Sequence, residues 1–349
     1  MRIVLSGGGT GGHLMPGLAL AEALRSRGAE VSWLCGTRPM ERAFLERSGL
    51  PHECLAMRGS RGALCPGVLR AASRALARWG ARAVVGLGGY AAFPGCLAGI
   101  ARRLPLFLLE QNALPGKVTR LLAPFARSTF LTHPSRWHLP RSSVTGAPLR
   151  RPPSPRRLEG AGRQVLVLGG SLGSREVNTM FLGGLDRISR AVGGLRVLHQ
   201  TGEADLERVR EAYARAGVPA EVFASRPDIL DWLAGSDAVV ARAGGNSLAE
   251  ILAYGPPAVL LPLASAADGH QEENARVPAL RGAAVVLGNG GRTPGGLAPV
   301  GLGPVGLAMA LEGMLSDPPS ADRMRRAARA LAITDGTERI AGTILAGIA

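Results

Sequence analysis

The chain reads as an α/β protein of two similar halves facing each other, each a parallel sheet with helices on both faces. Three observations predict this. Short apolar runs alternate with amphipathic, helix-length segments, the pattern of strands covered on both sides by crossover helices. A glycine-rich strand-to-helix turn, Gly7-Gly8-Gly9-Thr10-Gly11-Gly12-His13, is answered in the second half by Gly169-Gly170-Ser171-Leu172-Gly173-Ser174. Between them Pro148, Pro152, Pro153 and Pro155 crowd one short span, which predicts a semi-rigid linker over residues 149–155. At 349 residues the chain also exceeds the length over which a single core keeps growing.

In order, Ile3, Val4 and Leu5 form the first strand. A helix is expected from about Pro16 to residue 26, with Leu18, Ala21 and Leu24 apolar and Glu22 and Arg25 polar. Residues 31–35 make the second strand. Residues 83–87 make another, ending in Gly88-Gly89-Tyr90, and residues 106–109 one ending in Glu110-Gln111-Asn112. Residues 129–131 and then Val144-Thr145 complete the sheet. Ligands of open α/β sheets bind beyond the carboxyl ends of the strands, which is where His13, Tyr90 and Asn112 fall.

After the linker, strands are expected at residues 165–168, 196–199, 221–224, 238–241 and 258–261. The run Ala238 to Ala241 leads into Arg242-Ala243-Gly244-Gly245-Asn246-Ser247-Leu248-Ala249-Glu250. Leu248, Ile251 and Leu252 there share a helix face. Glycines at such a turn let a ligand approach the backbone, and a helix N-terminus attracts phosphate. Ser247 and Glu250 also have the spacing of a capping box. Residues 289–304, rich in glycine and proline, read as a surface loop. Amphipathic helices over 320–332 and 338–348, expected at the domain junction, close the chain.

Composition sets limits. The net charge of +15 is carried almost wholly by arginine, Lys117 being the only lysine. It favours anionic partners: nucleic acid, phosphorylated ligands or an acidic membrane face. A GC-rich genome accounts for much of the bias, and no aromatic residues interleave with the basic ones, so no nucleic-acid partner is expected. Cys35, Cys54, Cys65 and Cys96 show no metal or disulfide spacing, and Cys35 reads as a small buried hydrophobe. The amino terminus is too short and glycine-rich for a signal peptide, and no run of about 18 apolar residues spans a membrane. A cytoplasmic chain is expected.

Gly7, Gly9 and Gly12 fit a dinucleotide fingerprint, so an NADP-dependent oxidoreductase is a rival reading. The acidic residue expected after the second strand is absent. Gly36-Thr37-Arg38 stands there, and its arginine would suit a phosphorylated cofactor. The second half does not reproduce the fingerprint. No Asp-x-Asp pair or histidine cluster is present, so neither metal nor cofactor is expected. His199, ending an apolar strand, reads as a core histidine. Glu110 and Gln111 read as a strand end and a turn residue.

The run Gly8-Gly9-Thr10-Gly11-Gly12-His13-Leu14-Met15-Pro16-Gly17-Leu18-Ala19 resembles the opening of the MurG family, the N-acetylglucosaminyltransferases that convert lipid I to lipid II. The resemblance continues, collinearly over nearly the whole chain, through Gly88-Gly89-Tyr90, Glu110-Gln111-Asn112, Gly146 to Arg150, Gly169-Gly170-Ser171, His199 to Gly202, Arg242 to Glu250, and His270-Gln271 with Asn274-Ala275. It implies the B-type glycosyltransferase fold, two Rossmann-like domains facing across a cleft. Residues 1–148 would form the acceptor and membrane-facing domain, with the last helix, about 335–349, packing back on it. Residues 156–334 would form the UDP-GlcNAc domain.

The resemblance assigns donor contacts to Thr10, Gly11, Gly12, Asn112, Arg150, Ser171, Gly245, Asn246, Ser247, Glu250 and Gln271. Glu250 would reach the ribose, and Ser171 and Arg150 the diphosphate. His13 is the candidate base that takes the proton of the acceptor hydroxyl, with substrate orientation as its competing role. Tyr90 and Arg58 are the acceptor candidates. The partners implied are UDP-GlcNAc, lipid I and the anionic inner leaflet, with the protein peripheral on the cytoplasmic face of the plasma membrane. Arg58, Arg61, Arg70, Arg74, Arg78 and Arg82, near Leu64, Val68, Leu69, Leu76 and Trp79, form the face expected to dock there. A non-catalytic sugar-nucleotide binder is the second alternative. The chain departs from the family at Leu172, Ala147, Ser225-Arg226 and the run Ala243 to Ser247, which bears on donor affinity.

Overall fold

In the computed structural model the chain forms two units, Met1–Arg151 with Ile333–Ala349, and Pro152–Ala332. The structure describes residues 1–9, 11–57, 59–150, 152–170, 172–262, 269–288 and 303–348, without the side chains of residues 60 and 61. Thr10, Arg58, Ser171, the Arg61 side chain and residues 289–302 of the expected loop lie outside the described residues.

The first unit holds seven parallel strands: β1 (Arg2–Ser6), β2 (Glu30–Cys35), β3 (His52–Cys54), β4 (Ala83–Gly86), β5 (Leu106–Glu110), β6 (Ser128–Leu131) and β7 (Ser142–Val144). Their order is β3-β2-β1-β4-β5-β6-β7. The helices are α1 (Gly11–Ser26), α2 (Pro39–Ser48), α3 (Gly59–Gly62), α4 (Pro66–Arg78), α5 (Phe93–Ala101) and α6 (Lys117–Leu122). Alternate residues of β1 feed opposite cores, as the two-residue strand period requires. Ile3 and Leu5 pack with Leu20 and Leu24 of α1, and Val4 packs with Ala72 and Leu76 of α4 and Cys96 of α5.

The second unit repeats the plan. Six parallel strands, β8 (Arg163–Leu168), β9 (Leu195–Gln200), β10 (Ala220–Phe223), β11 (Ala238–Ala241), β12 (Ala258–Leu260) and β13 (Val285–Val286), lie in the order β10-β9-β8-β11-β12-β13. Around them pack α7 (Arg175–Ala191), α8 (Leu206–Ala216), α9 (Ile229–Ala234), α10 (Gly245–Tyr254), α11 (His270–Leu280), α12 (Pro304–Ser316) and α13 (Pro318–Leu331). Val165 and Val167 face the core under α7 and α12, while Leu166 and Leu168 face the one under α10.

The chain then returns to the first unit as α14 (Gly336–Ala346). Ile340, Ala341 and Ile344 join the α1 core, and Thr337 donates to the Leu149 carbonyl at 3.1 Å. Two local readings change. Helix α1 begins at Gly11, not near Pro16, which sits inside it. Proline there costs one hydrogen bond, to the carbonyl four residues back, and the apolar stripe beyond it keeps the helix. Strand β3, His-Glu-Cys, lacks an apolar run, whereas β13 is a two-residue strand inside the apolar run Ala283 to Leu287.

Candidate functional site

Strand order fixes where each unit can bind a ligand. In the first sheet the order reverses between β1 and β4, in the second between β8 and β11, and the crevice beyond such a switch point is the binding position of open α/β folds.

At the first switch point the turn after β1 is held from three sides. The Trp33 indole, fully buried, donates to the Gly7 carbonyl at 2.8 Å. The buried Glu41 carboxylate accepts from the Gly9 N–H and, at 3.0 Å, from the Arg38 N–H. The Arg38 guanidinium donates to the Gly9 carbonyl. A Cβ on Gly8 or Gly36 would press into the Glu41 carboxylate. Arg38, which kept the NADP reading open, is thus turned onto the loop backbone.

His13, in the first turn of α1, is half-buried and leans on the second turn of this switch point. A Cβ on Gly88 would stand 3.1 Å from its Cδ2, and one on Gly89 3.4 Å from its Cε1. Burial pushes the imidazole down to about 4, so it is neutral at physiological pH. Asn112, beyond β5, is placed by Glu110, a buried carboxylate. Glu110 accepts from the Asn112 N–H at 3.0 Å and its side-chain amide at 3.4 Å, from the Gly116 N–H at 3.0 Å and from the Thr119 hydroxyl at 2.6 Å. Gln111 donates to the Leu87 carbonyl at 2.8 Å. Glu110, the last residue of β5 as expected, and Gln111 just after it are therefore also organising residues. Tyr90 opens a short 3₁₀ turn and packs partly against the α4–α5 core. Gly12 is exposed, Gly11 buried, and Arg150 half-buried at the end of the unit.

At the second switch point the turn after β8 lies against the end of β9. A Cβ on Gly173 would collide with the Thr201 carbonyl at 2.1 Å, and one on Gly202 with the Leu172 carbonyl at 2.4 Å. Beside it, β11 runs through Arg242 into α10. The cap residue of α10 is Gly244, which has no side chain to occupy the first N–H groups, so this helix end can meet an anion. Gly245, Asn246, Ser247 and Glu250 all lie in its first two turns. The capping-box reading is corrected here. The helix starts before Ser247, which is its third residue, because the extended Gly244 already accepts the Leu248 N–H at 2.9 Å. Asn274 of α11 donates to the Ala243 carbonyl at 2.9 Å, and buried Gln271 stands one turn earlier on the same helix.

Arg242 was not among the sequence candidates. Its Nη1 lies 3.9 Å from where a Gly170 Cβ would be, and its buried Nε has no hydrogen-bond partner among the described residues. Burial lowers its pKa, with the Glu176 charge acting the other way. A half-buried arginine of this kind, beside a glycine-rich turn and a glycine-capped helix N-terminus, suits an anionic ligand.

His199 is structural. Its Nδ1 lies 2.9 Å from the Tyr213 hydroxyl and its Nε2 3.0 Å from Asn178 Oδ1. The Asn178 amide nitrogen donates to the Thr201 carbonyl and to Asp205, so its oxygen faces the ring and Nε2 carries the proton. Burial takes this neutral imidazole down to about 3. Arg226 is likewise placed, stacked over Phe223 and Trp232 and paired with Asp228 and Glu221. The residues expected to form a lipid-docking face divide between core and surface. Val68 and Leu76 are buried in the core, because the apolar stripe of α4 faces the sheet. Arg70, Arg74, Arg78 and Arg82 remain exposed, with Leu64 61% exposed nearby.

A model of the glycosyltransferase family 28 N-terminal domain matches residues 3–131, and one of its C-terminal domain residues 164–301. A protein of Syntrophotalea carbinolica is 37% identical, with 97% of each chain covered. One of Xylella fastidiosa is 38% identical, covering 98% of this chain and 95% of the other. Both are named UDP-N-acetylglucosamine–N-acetylmuramyl-(pentapeptide) pyrophosphoryl-undecaprenol N-acetylglucosamine transferase. The crystal structure of Acinetobacter baumannii MurG is similar with a TM-score of 0.77 at 27% identity, covering 99% of both chains. The two parallel-sheet units are those of the B-type glycosyltransferase fold. The chain is a member of glycosyltransferase family 28 and, within it, of the MurG family.

Proposed function

We propose that the chain transfers N-acetylglucosamine from UDP-GlcNAc to the 4-hydroxyl of MurNAc in lipid I, with inversion, giving lipid II. The observation that carries this is the glycine-capped N-terminus of α10 at a strand-order reversal, in a chain 37% identical to an enzyme named for that transfer. In the second unit the α10 N-terminus holds the diphosphate, and Glu250 accepts from the ribose hydroxyls. Gly245, Asn246 and Ser247 line the nucleotide, Gln271 meets the sugar, and Ser171 and Arg150 serve the phosphates. In the first unit Thr10, Gly11, Gly12 and Asn112 complete the donor site, and Tyr90 and Arg58 belong to the acceptor.

His13 is the base. Its neutral form takes the proton of the 4-hydroxyl as that oxygen bonds to the anomeric carbon, and the burial that lowers its pKa to about 4 makes it a weaker base than a free imidazole. The bond from that carbon to the diphosphate oxygen breaks, and UDP leaves with the electron pair. Attack from the face opposite UDP turns the α-linked donor into a β-linked product. The charge that develops on the diphosphate meets the α10 dipole and backbone N–H groups already in place, which costs no reorganisation during the step.

The lipid acceptor calls for a membrane surface. No described helix is long and apolar enough to cross a membrane. The exposed arginines on and after α4 support peripheral docking on anionic lipid at the cytoplasmic face. Salt-insensitive or absent binding to anionic vesicles would refute that part.

The test of the whole reading is transfer of labelled GlcNAc from UDP-GlcNAc to a lipid I analogue in the presence of EDTA. Labelled disaccharide-lipid is expected. Donor binding without transfer would mark a non-catalytic binder, and reduction of a nicotinamide cofactor an oxidoreductase.

A further inference from the structure

We propose that Cys35 and Cys54 form a reversible redox couple, closing to a disulfide at the edge of the first sheet. The two residues are register partners on the neighbouring parallel strands β2 and β3, so their side chains leave the sheet on the same face. Their sulfurs lie 2.9 Å apart, and direct strand partners fall within the backbone separation that a disulfide spans. The pair is built for sequential attack. Cys35 is wholly buried, and burial pushes its thiol up, as do Cys54 and the Glu41 carboxylate. Cys54 is half-exposed on the short edge strand, where an oxidant reaches it first.

The oxidant is a small disulfide of the glutathione class. The Cys54 thiolate attacks one of its sulfurs, breaking that S–S bond and releasing one thiol. Cys35 then attacks the Cys54 sulfur and displaces the second thiolate, which takes up the Cys35 proton and leaves as the thiol. Two protein thiols are oxidised, and one disulfide is reduced to two thiols. Such pairs in reducing compartments are transient and redox-sensing rather than structural. The position gives the bridge something to act on. Gly36 follows Cys35, and the Glu41 carboxylate that lies against Gly36 also holds Gly9 in the first glycine-rich turn. None of this depends on the proposed transferase activity.

The experiment uses the full chain with Cys65→Ser, because Cys65 is exposed and would compete for the oxidant. After incubation with glutathione disulfide, the expected result is the loss of two hydrogen masses and one remaining thiol, Cys96, on unfolding. Peptide mapping joins Cys35 to Cys54, dithiothreitol restores both thiols, and Tm rises by about 5 °C while the bridge is closed. Adding Cys54→Ser abolishes the mass change. A lasting glutathione adduct on Cys54, a bridge to Cys96, or three free thiols after oxidation would each overturn the proposal.

Discussion

His13 lies so close over Gly88 that a methyl group there would stand 3.2 Å from its Nε2. Gly88 also holds φ +90°, which side chains rarely adopt. Gly88→Ala therefore displaces the imidazole, together with the Gln111 side chain, whose Oε1 would stand 2.9 Å away. If His13 is the base, kcat falls roughly 10² to 10⁴-fold, the usual contribution of general base catalysis. His13→Gln falls to the same floor, and the double variant falls no further. The Kd for UDP stays within about twofold. Near-normal turnover in His13→Gln would remove the base assignment.

The second prediction concerns pH. Burial lowers His13 from 6.5 to about 4, so the imidazole gains a proton only as pH falls towards 4. The profile of kcat/KM between pH 5 and pH 8 then shows no break near 6.5, where an unperturbed imidazole would titrate. Imidazole NMR shifts of His13 across the same range check the assignment directly.

How much of this was legible beforehand varies with range. The two sheets were readable because fully buried parallel strands such as Val165 to Leu168 are continuous apolar runs. The glycines were readable as turns, but their reasons are contacts from far along the chain. Gly8 answers to Glu41, and Gly88 to His13 and Gln111. Glu110 does end β5, but its organising role was hidden because its donors, Gly116 and Thr119, come from the following turn and helix. Arg242 hid among many arginines, and only burial sets it apart. The Cys35 and Cys54 pair, 19 residues apart in sequence, becomes visible only once β3 is known to exist.

Acid stability tests the His199 reading. The folded chain lowers its pKa to about 3, whereas the unfolded chain takes up the proton near 6.5. Its contribution is complete above about 6.5 and declines as pH falls from there towards 3. At about 1.4 kcal/mol per pH unit, the second unit should lose roughly 2 kcal/mol between pH 7 and pH 5 from this group. Denaturant titrations at the two pH values measure it. His199→Gln should be less stable at pH 7 but show a flatter pH dependence. An unchanged slope would mean that another group is responsible.

Glu110→Gln tests whether that carboxylate positions Asn112. The amide presents a donor where the carboxylate accepts from the Gly116 N–H and the Thr119 hydroxyl, so one buried donor loses its partner. A stability loss of about 1–3 kcal/mol is expected. If Asn112 serves the sugar, the KM for UDP-GlcNAc rises while the Kd for UDP alone does not change. A stability loss without that split would make Glu110 structural only.

Arg242 separates ligand binding from architecture most sharply. The Arg242 Nε is buried without a hydrogen-bond partner among the described residues, which costs the folded protein free energy because its lost hydration is not replaced. The bound diphosphate would repay that cost through charge-assisted hydrogen bonds. Arg242→Met keeps most of the volume and removes the charge. Unliganded stability should therefore hold or rise by up to about 1 kcal/mol, while the Kd for UDP weakens by about ten- to a hundredfold. Thermal shift and calorimetry on the same preparation read both quantities. A variant that loses stability and keeps its UDP affinity would show that Arg242 braces the Gly170 turn instead of holding the ligand.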